Sequence, residues 1–142
     1  MLTSHGKLHY DDTDGHWVTL YVDQDLSNYY RSFIPKHERV VRPRWDAHIT
    51  VVRGGIDFPP KISYWGNYEG EIVEFIYDSY PLNGNGYYWV NAWSKRLEAI
   101  RSELGLANVS KYALRPTGYE KTFHITIGRY DEVFPVGEAP EK

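Results

Sequence analysis

The chain has 142 residues, contains no cysteine and carries a formal net charge of −3. Its length accommodates one domain with a sizeable core but not two independent catalytic domains, and the lack of cysteine excludes a disulfide scaffold, a cysteine nucleophile and cysteine-ligated metal centres. The polar start of the sequence and the absence of any long apolar run predict a chain with neither signal peptide nor membrane span, and therefore a cytoplasmic location.

The first half of the chain predicts a strand, a helix and a second strand, in that order. Residues 16–22 alternate and are rich in β-branched and aromatic types, as a strand requires. Asp23 or Asp25 is a suitable N-cap for a helix that runs to about Phe33. Residues 47–53 form the second predicted strand, which two glycines end.

The second half predicts a similar succession. Residues 71–77 and 87–92 have strand patterns, and the Asn-Gly-Asn-Gly sequence at 83–86 predicts a turn between strands. Residues 94–104 have helical spacing of apolar positions and end at a glycine. Residues 123–129 form the last predicted strand.

Strand, helix and histidine-containing strand therefore occur twice in the same order. This order predicts an α+β fold within a single domain spanning residues 1–142. We expect two pseudo-symmetric lobes of antiparallel sheet, roughly residues 16–53 and 87–129, with helices flanking a central cleft.

The charges are unevenly distributed along the chain. Residues 31–53 hold six basic and two acidic side chains, and residues 95–129 hold seven basic and three acidic ones, which leaves three basic and fourteen acidic side chains elsewhere. A basic pocket on an acidic body suits a small phosphorylated ligand better than duplex DNA. Scattered surface charge remains the alternative interpretation for either segment taken alone.

The tripeptide His-Ile-Thr occurs in both histidine-containing strands. Because alternate side chains of a strand share a face, His48 and Thr50 point one way, and His124 and Thr126 do the same on the other strand. Two such strands side by side would present two imidazoles and two hydroxyls around one point.

This set of groups suits phosphodiester cleavage without a metal. One neutral histidine can take a proton from an attacking hydroxyl, and one protonated histidine can give a proton to the leaving alkoxide. The threonine hydroxyls can donate hydrogen bonds to the phosphate oxygens as charge develops there. Two histidines are too few for a catalytic zinc site, and Asp46 could either complete such a site or orient His48. We expect no metal and no cofactor.

Paired His-x-Thr motifs on strands resemble those of the 2H phosphoesterase superfamily. The run from Tyr29 to Lys36, followed by Ala47–Arg53, is similar more narrowly to the phage anti-CBASS phosphodiesterases, which destroy the cyclic oligonucleotide signals of bacterial defence. The resemblance implies metal-independent cleavage of 3′–5′ bonds in a cyclic di- or trinucleotide. It assigns catalysis to four residues of this chain: His48, Thr50, His124 and Thr126.

Aromatic and basic side chains near these strands are candidates for holding the substrate. Stacking of a base on an aromatic ring is worth about 1–3 kcal/mol. The candidate platforms are Tyr10, Trp17, Trp45 and Tyr119. Arg44, Lys121 and Arg129 are candidates for phosphate attraction, although each such charge is more often simply solvated. Any one aromatic is more often a core residue than a ligand contact.

Three functions remain open at this point. The chain could be a phosphodiesterase of cyclic nucleotide immune signals, with no membrane, duplex DNA or obligate protein partner. It could be another 2H enzyme that opens 2′,3′-cyclic phosphates on RNA ends or nucleotides. It could also bind and sequester a cyclic nucleotide without cleaving it.

Overall fold

The computed structural model of the chain describes residues 1–110 and 122–131. These residues form eight strands, which are β1 (Leu2–Asp11), β2 (Trp17–Val22), β3 (Val40–Val41), β4 (His48–Val52), β5 (Ile72–Tyr77), β6 (Leu82–Gly84), β7 (Tyr87–Trp93) and β8 (Phe123–Tyr130). They also form two α-helices, α1 (Gln24–Arg31) and α2 (Lys95–Glu103). The five predicted strands are confirmed to within one residue at each end.

Six of the strands close into one antiparallel barrel. They follow the order β8-β4-β2-β1-β5-β7, and β7 pairs in turn with β8. The short strands β3 and β6 extend this sheet beside β8 and β7. The predicted arrangement of two α+β lobes around a cleft is therefore wrong, because the strands of both halves belong to a single closed sheet.

Strand β1 is the element that joins the two halves, and the sequence did not predict it. It pairs with β2 along one edge and with β5 along the other. Only one of its faces is apolar, with Leu8 and Tyr10 buried while Lys7 and His9 are exposed. A side chain at Gly6 would strike the Tyr21 carbonyl, so glycine permits β2 to approach closely.

Side-chain caps define where the helices begin. The Asp23 carboxylate accepts a hydrogen bond from the Asp25 amide at 2.9 Å, and α1 ends two residues earlier than predicted. The Ser94 hydroxyl accepts a hydrogen bond from the Leu97 amide at 3.2 Å. Gly105, with φ of 85°, follows α2 in the left-handed conformation that ends helices, as predicted.

The predicted turn at residues 83–86 forms a tight hairpin between β6 and β7. Gly84 pairs with Tyr87, which leaves two residues at the turn. Asn85 and Gly86 have φ of 52° and 85°. Positive φ at both central positions is the geometry that Asn-Gly favours in two-residue hairpins.

One face of the barrel and the apolar sides of both helices form a single core. Fully buried sheet residues such as Leu20, Ile49 and Ile125 belong to the same cluster as Leu26 of α1 and Leu97 of α2. Burial of this face leaves the opposite face of β4 and β8 for polar side chains.

A buried ion pair fixes α2 to the loop that follows β4. Arg101, which is 1% exposed, donates to the Asp57 carboxylate at 3.1 Å and to the Val51 carbonyl at 2.8 Å. The same Asp57 carboxylate accepts the Arg53 amide at 2.9 Å. The backbone at the end of β4 is thus held by the helix through a carboxylate that is also buried.

Candidate active site

Strands β4 and β8 are neighbours, and their register brings the two His-Ile-Thr copies together. Ile49 lies opposite Ile125 in an antiparallel pair. His48 is therefore opposite Thr126, and Thr50 is opposite His124. Ile49 and Ile125 are fully buried on the core face, whereas the two histidines and two threonines are half-buried on the other face.

Each of these strands contains a β-bulge just after its threonine. In the pairing of β4 with β2, Thr50 and Val52 face successive residues of β2, and Val51 between them faces none. In the pairing of β8 with β7, Ile127 is left out in the same way. The bulge turns two successive residues, Val51–Val52 and Ile127–Gly128, toward the buried side. The next residue on each strand, Arg53 or Arg129, consequently returns to the face that carries the histidines.

The sequence alone names Arg129 as a candidate for phosphate attraction but not Arg53, and strict alternation gives neither arginine a place on the histidine face. Strict alternation would place a residue five positions after His48 or His124 on the core face. The sequence does contain a signal, because an arginine follows each histidine at the same spacing, giving His-Ile-Thr-x-x-Arg twice. The repeat is thus longer than the tripeptide.

His48 is oriented by a backbone carbonyl. Its Nδ1 lies 2.6 Å from the carbonyl oxygen of Asp46. Because a carbonyl oxygen only accepts, Nδ1 carries the hydrogen, and Nε2 is the nitrogen that exchanges a proton. The Asp46 carboxylate lies instead 3.7 Å from Arg42, so the structure gives it neither the orienting role nor a ligand role beside His48.

His124 lies in a different electrostatic environment. Burial is the main cause that lowers its pKa to about 3, and the positive charges of Arg53 and His48 lower it further. His124 is therefore neutral at pH 7, and Asn91, which lies opposite on β7, is buried beside it.

Arg53 is a strongly constrained side chain. Its guanidinium carbon stands 6.0 Å from the centre of the Trp17 ring. Burial lowers its pKa, and the Asp57 carboxylate partly opposes that effect. Among the described residues, the buried Nε atoms of Arg53 and Arg129 find no hydrogen-bond partner.

The predicted substrate-binding residues are distributed over several locations. Trp17 lies beside Arg53 and covers Gly54, where a side chain would collide with its indole. Trp45 is 46% exposed in the segment before β4. Tyr10 is buried in the core, away from the histidines, where burial raises its pKa to about 12. Tyr119 and Lys121 lie outside the described residues.

Comparison of the chain with protein-family models, with curated proteins and with solved structures finds no match. Over the described part of the chain, no helix has the length and apolar character needed to span a membrane. Within residues 1–110 and 122–131, His, Asp and Glu side chains form no group of three that could hold a metal ion.

Proposed function

We propose that the protein is a phosphodiesterase that opens 3′–5′ bonds of cyclic di- or trinucleotides with two histidines and no metal. The observation that carries the proposal is the antiparallel pairing of two His-x-Thr strands, with both imidazoles on one face. In a phage-infected bacterium this reaction would remove the nucleotide signals of CBASS defence. The resemblance of the paired motif to those of the 2H phosphoesterases supports the same chemistry.

The different environments of the histidines favour different roles. Neutral His124 is the base, and it takes the proton of the ribose 2′-hydroxyl as that oxygen attacks phosphorus. The bond from phosphorus to the 5′-oxygen breaks, and protonated His48 donates from Nε2 to the departing oxygen. The product is a linear nucleotide that ends in a 2′,3′-cyclic phosphate. A bound phosphate anion opposes the positive charges around His124 and so strengthens it as a base.

The threonines act on the charge that develops during this step. Their hydroxyls lie on the same face as the imidazoles, one opposite each histidine. Donation to the non-bridging oxygens stabilises the transition state more than the ground state. Such donors require no change of position during the reaction.

The experiment that tests this function combines cyclic di- and trinucleotides with the protein in EDTA and separates the products by chromatography with mass detection. Wild type should give linear products. His48→Ala and His124→Ala should each lose about a hundredfold to ten-thousandfold in rate. His37→Ala, at an exposed histidine, is the matched control and should retain full activity.

Other outcomes would identify the alternatives. Full activity in His48→Ala would contradict the two-histidine scheme. Turnover of 2′,3′-cyclic phosphates alone would favour an RNA-end enzyme. Cyclic nucleotides that remain intact and co-elute with the protein would favour sequestration.

A further inference from the structure

The two arginines that follow the bulges are equivalent by sequence and by structure. Each stands five residues after a histidine. Each bulge places its arginine on the histidine face, and each arginine has a buried Nε without a partner in the described ranges. A buried donor of this kind requires an explanation in a native fold, and a bound ligand oxygen supplies one.

The antiparallel register places each arginine at the end of the face that has the histidine of the other strand. Positions beyond Thr50 on β4 run past His124, which is why the Arg53 charge reaches that imidazole. By the same register, positions beyond Thr126 on β8 run past His48 toward Arg129. Each end of the face therefore has one histidine, one threonine and one arginine.

The two arginines enter the histidine face from its opposite ends. Arg53 and Arg129 each lie four positions from the central Ile49–Ile125 pair, in opposite directions. One of the four positions on each side is a bulge residue that adds little length, so six residues with a rise of about 3.3 Å place the two Cα atoms roughly 20 Å apart. This spacing allows the two guanidiniums to contact two separate anionic groups of one ligand.

We propose that Arg53 and Arg129 bind two different phosphates of one substrate, a nucleotide ring with two phosphodiesters. Arg53, beside the base His124, contacts the phosphate that is cleaved. Arg129 holds the second phosphate and thereby positions the ring. A planar guanidinium suits both places because it binds phosphate oxygens with two parallel hydrogen bonds. This assignment names the substrate class of the proposed function and rests on it.

Binding without turnover provides the test. In a His48→Ala background, calorimetry measures the affinity for cyclic di-AMP and cyclic di-GMP, each with two phosphodiesters, and for 3′,5′-cyclic AMP and 3′,5′-cyclic GMP, each with one. Arg129→Met should weaken binding of a two-phosphate ring by about tenfold or more and change binding of the one-phosphate ligands less than twofold. Arg53→Met should weaken both classes.

Controls separate phosphate contact from loss of structure. Arg129→Lys keeps the positive charge, so it should recover part of the affinity. It also replaces Arg129→Met as the test if that variant folds poorly. Arg39→Met removes an arginine that is 71% exposed and should leave all affinities unchanged. Circular dichroism of each variant checks the fold.

The inference is overturned if Arg129→Met weakens both ligand classes equally or neither, or if the parent protein binds none of the four ligands. Failure of this inference can be distinguished from failure of the proposed enzymatic function. Selective weakening by Arg129→Met in a protein that cleaves nothing keeps the phosphate assignment and removes the catalytic one. Normal turnover of cyclic dinucleotides by Arg129→Met keeps the catalytic assignment and removes the phosphate assignment.

Discussion

At the residue scale, identical tripeptides place their histidines in unlike environments. His48 donates from Nδ1 to a backbone carbonyl two residues earlier. His124 lies between β4 and β7, where buried Asn91 and the charge of Arg53 surround it. Equal sequence therefore places two imidazoles in different electrostatic environments, which suits a reaction with one base and one acid.

The lowered pKa of His124 has a consequence for stability. The unfolded chain binds a proton at this histidine near its ordinary pKa of about 6.5, whereas the folded protein binds it only near a pKa of about 3. The contribution of His124 to the free energy of unfolding is therefore complete above about pH 7 and declines as the pH falls from 6.5 toward 3.

Urea denaturation at pH 7.5, 6.0 and 5.0 measures this decline. His124→Gln should lose much less stability than wild type over the interval, because the substituted side chain does not titrate. His5→Gln, at an exposed histidine, should follow wild type. Parallel curves for wild type and His124→Gln would contradict the buried neutral imidazole.

The sequence predicted the paired histidines and threonines and named Arg129 as a candidate for phosphate attraction, but it did not predict Arg53 as a site residue. Alternation within a strand is a local rule, so it sufficed to place His48 with Thr50 and His124 with Thr126. Bulges depend on the register with a neighbouring strand, and this register is not encoded by one strand alone. The place of both arginines on the histidine face thus becomes visible only with β2 and β7 in place.

At the element scale, α2 and β4 are joined by a chain of polar contacts inside the core. Arg101 of the helix binds Asp57, and Asp57 binds the backbone of Arg53. The helix thereby positions one arginine of the candidate site. The sequence predicted the helix and its final glycine correctly. It placed Arg101 on the apolar helical face but did not indicate its partner, which lies 44 residues earlier in the chain.

Removal of Arg101 should be costly because it leaves a buried carboxylate behind. We expect Arg101→Met to lower the free energy of unfolding by about 3–5 kcal/mol, as measured by urea denaturation. Arg42→Met removes an ion pair whose side chains are both about two-thirds exposed and should cost less than about 1 kcal/mol. Similar losses in the two variants would mean that the Arg101–Asp57 pair does not fix the helix.

At the scale of the whole molecule, closure of the sheet decides the architecture. The two-lobe prediction failed because strand patterns do not indicate which edges pair, and because β1 was unrecognised. Polar residues occupy the exposed face of β1, and its central glycine weakened the strand signal further. With β1 between β2 and β5, neither half forms an independent sheet.

A pair of proline substitutions tests this dependence. Lys7 and Asn83 both have exposed side chains, but Lys7 lies on β1, which has neighbours on both edges, and Asn83 lies on β6, which pairs with β7 alone. Lys7→Pro should lower the free energy of unfolding by about 3 kcal/mol or more, whereas Asn83→Pro should cost clearly less. Thermal unfolding followed by circular dichroism measures both. Equal losses would contradict the central position of β1.

Because β8 pairs with both β4 and β7, the candidate chemistry depends on correct assembly of the sheet. His48 and His124 belong to strands far apart in the chain that meet only where β8 lies between β4 and β7. A nascent or partly opened chain contains both motifs but no two-histidine face. Any reaction that needs both imidazoles would thus require a correctly assembled molecule, and it would cease once β8 separated from β4.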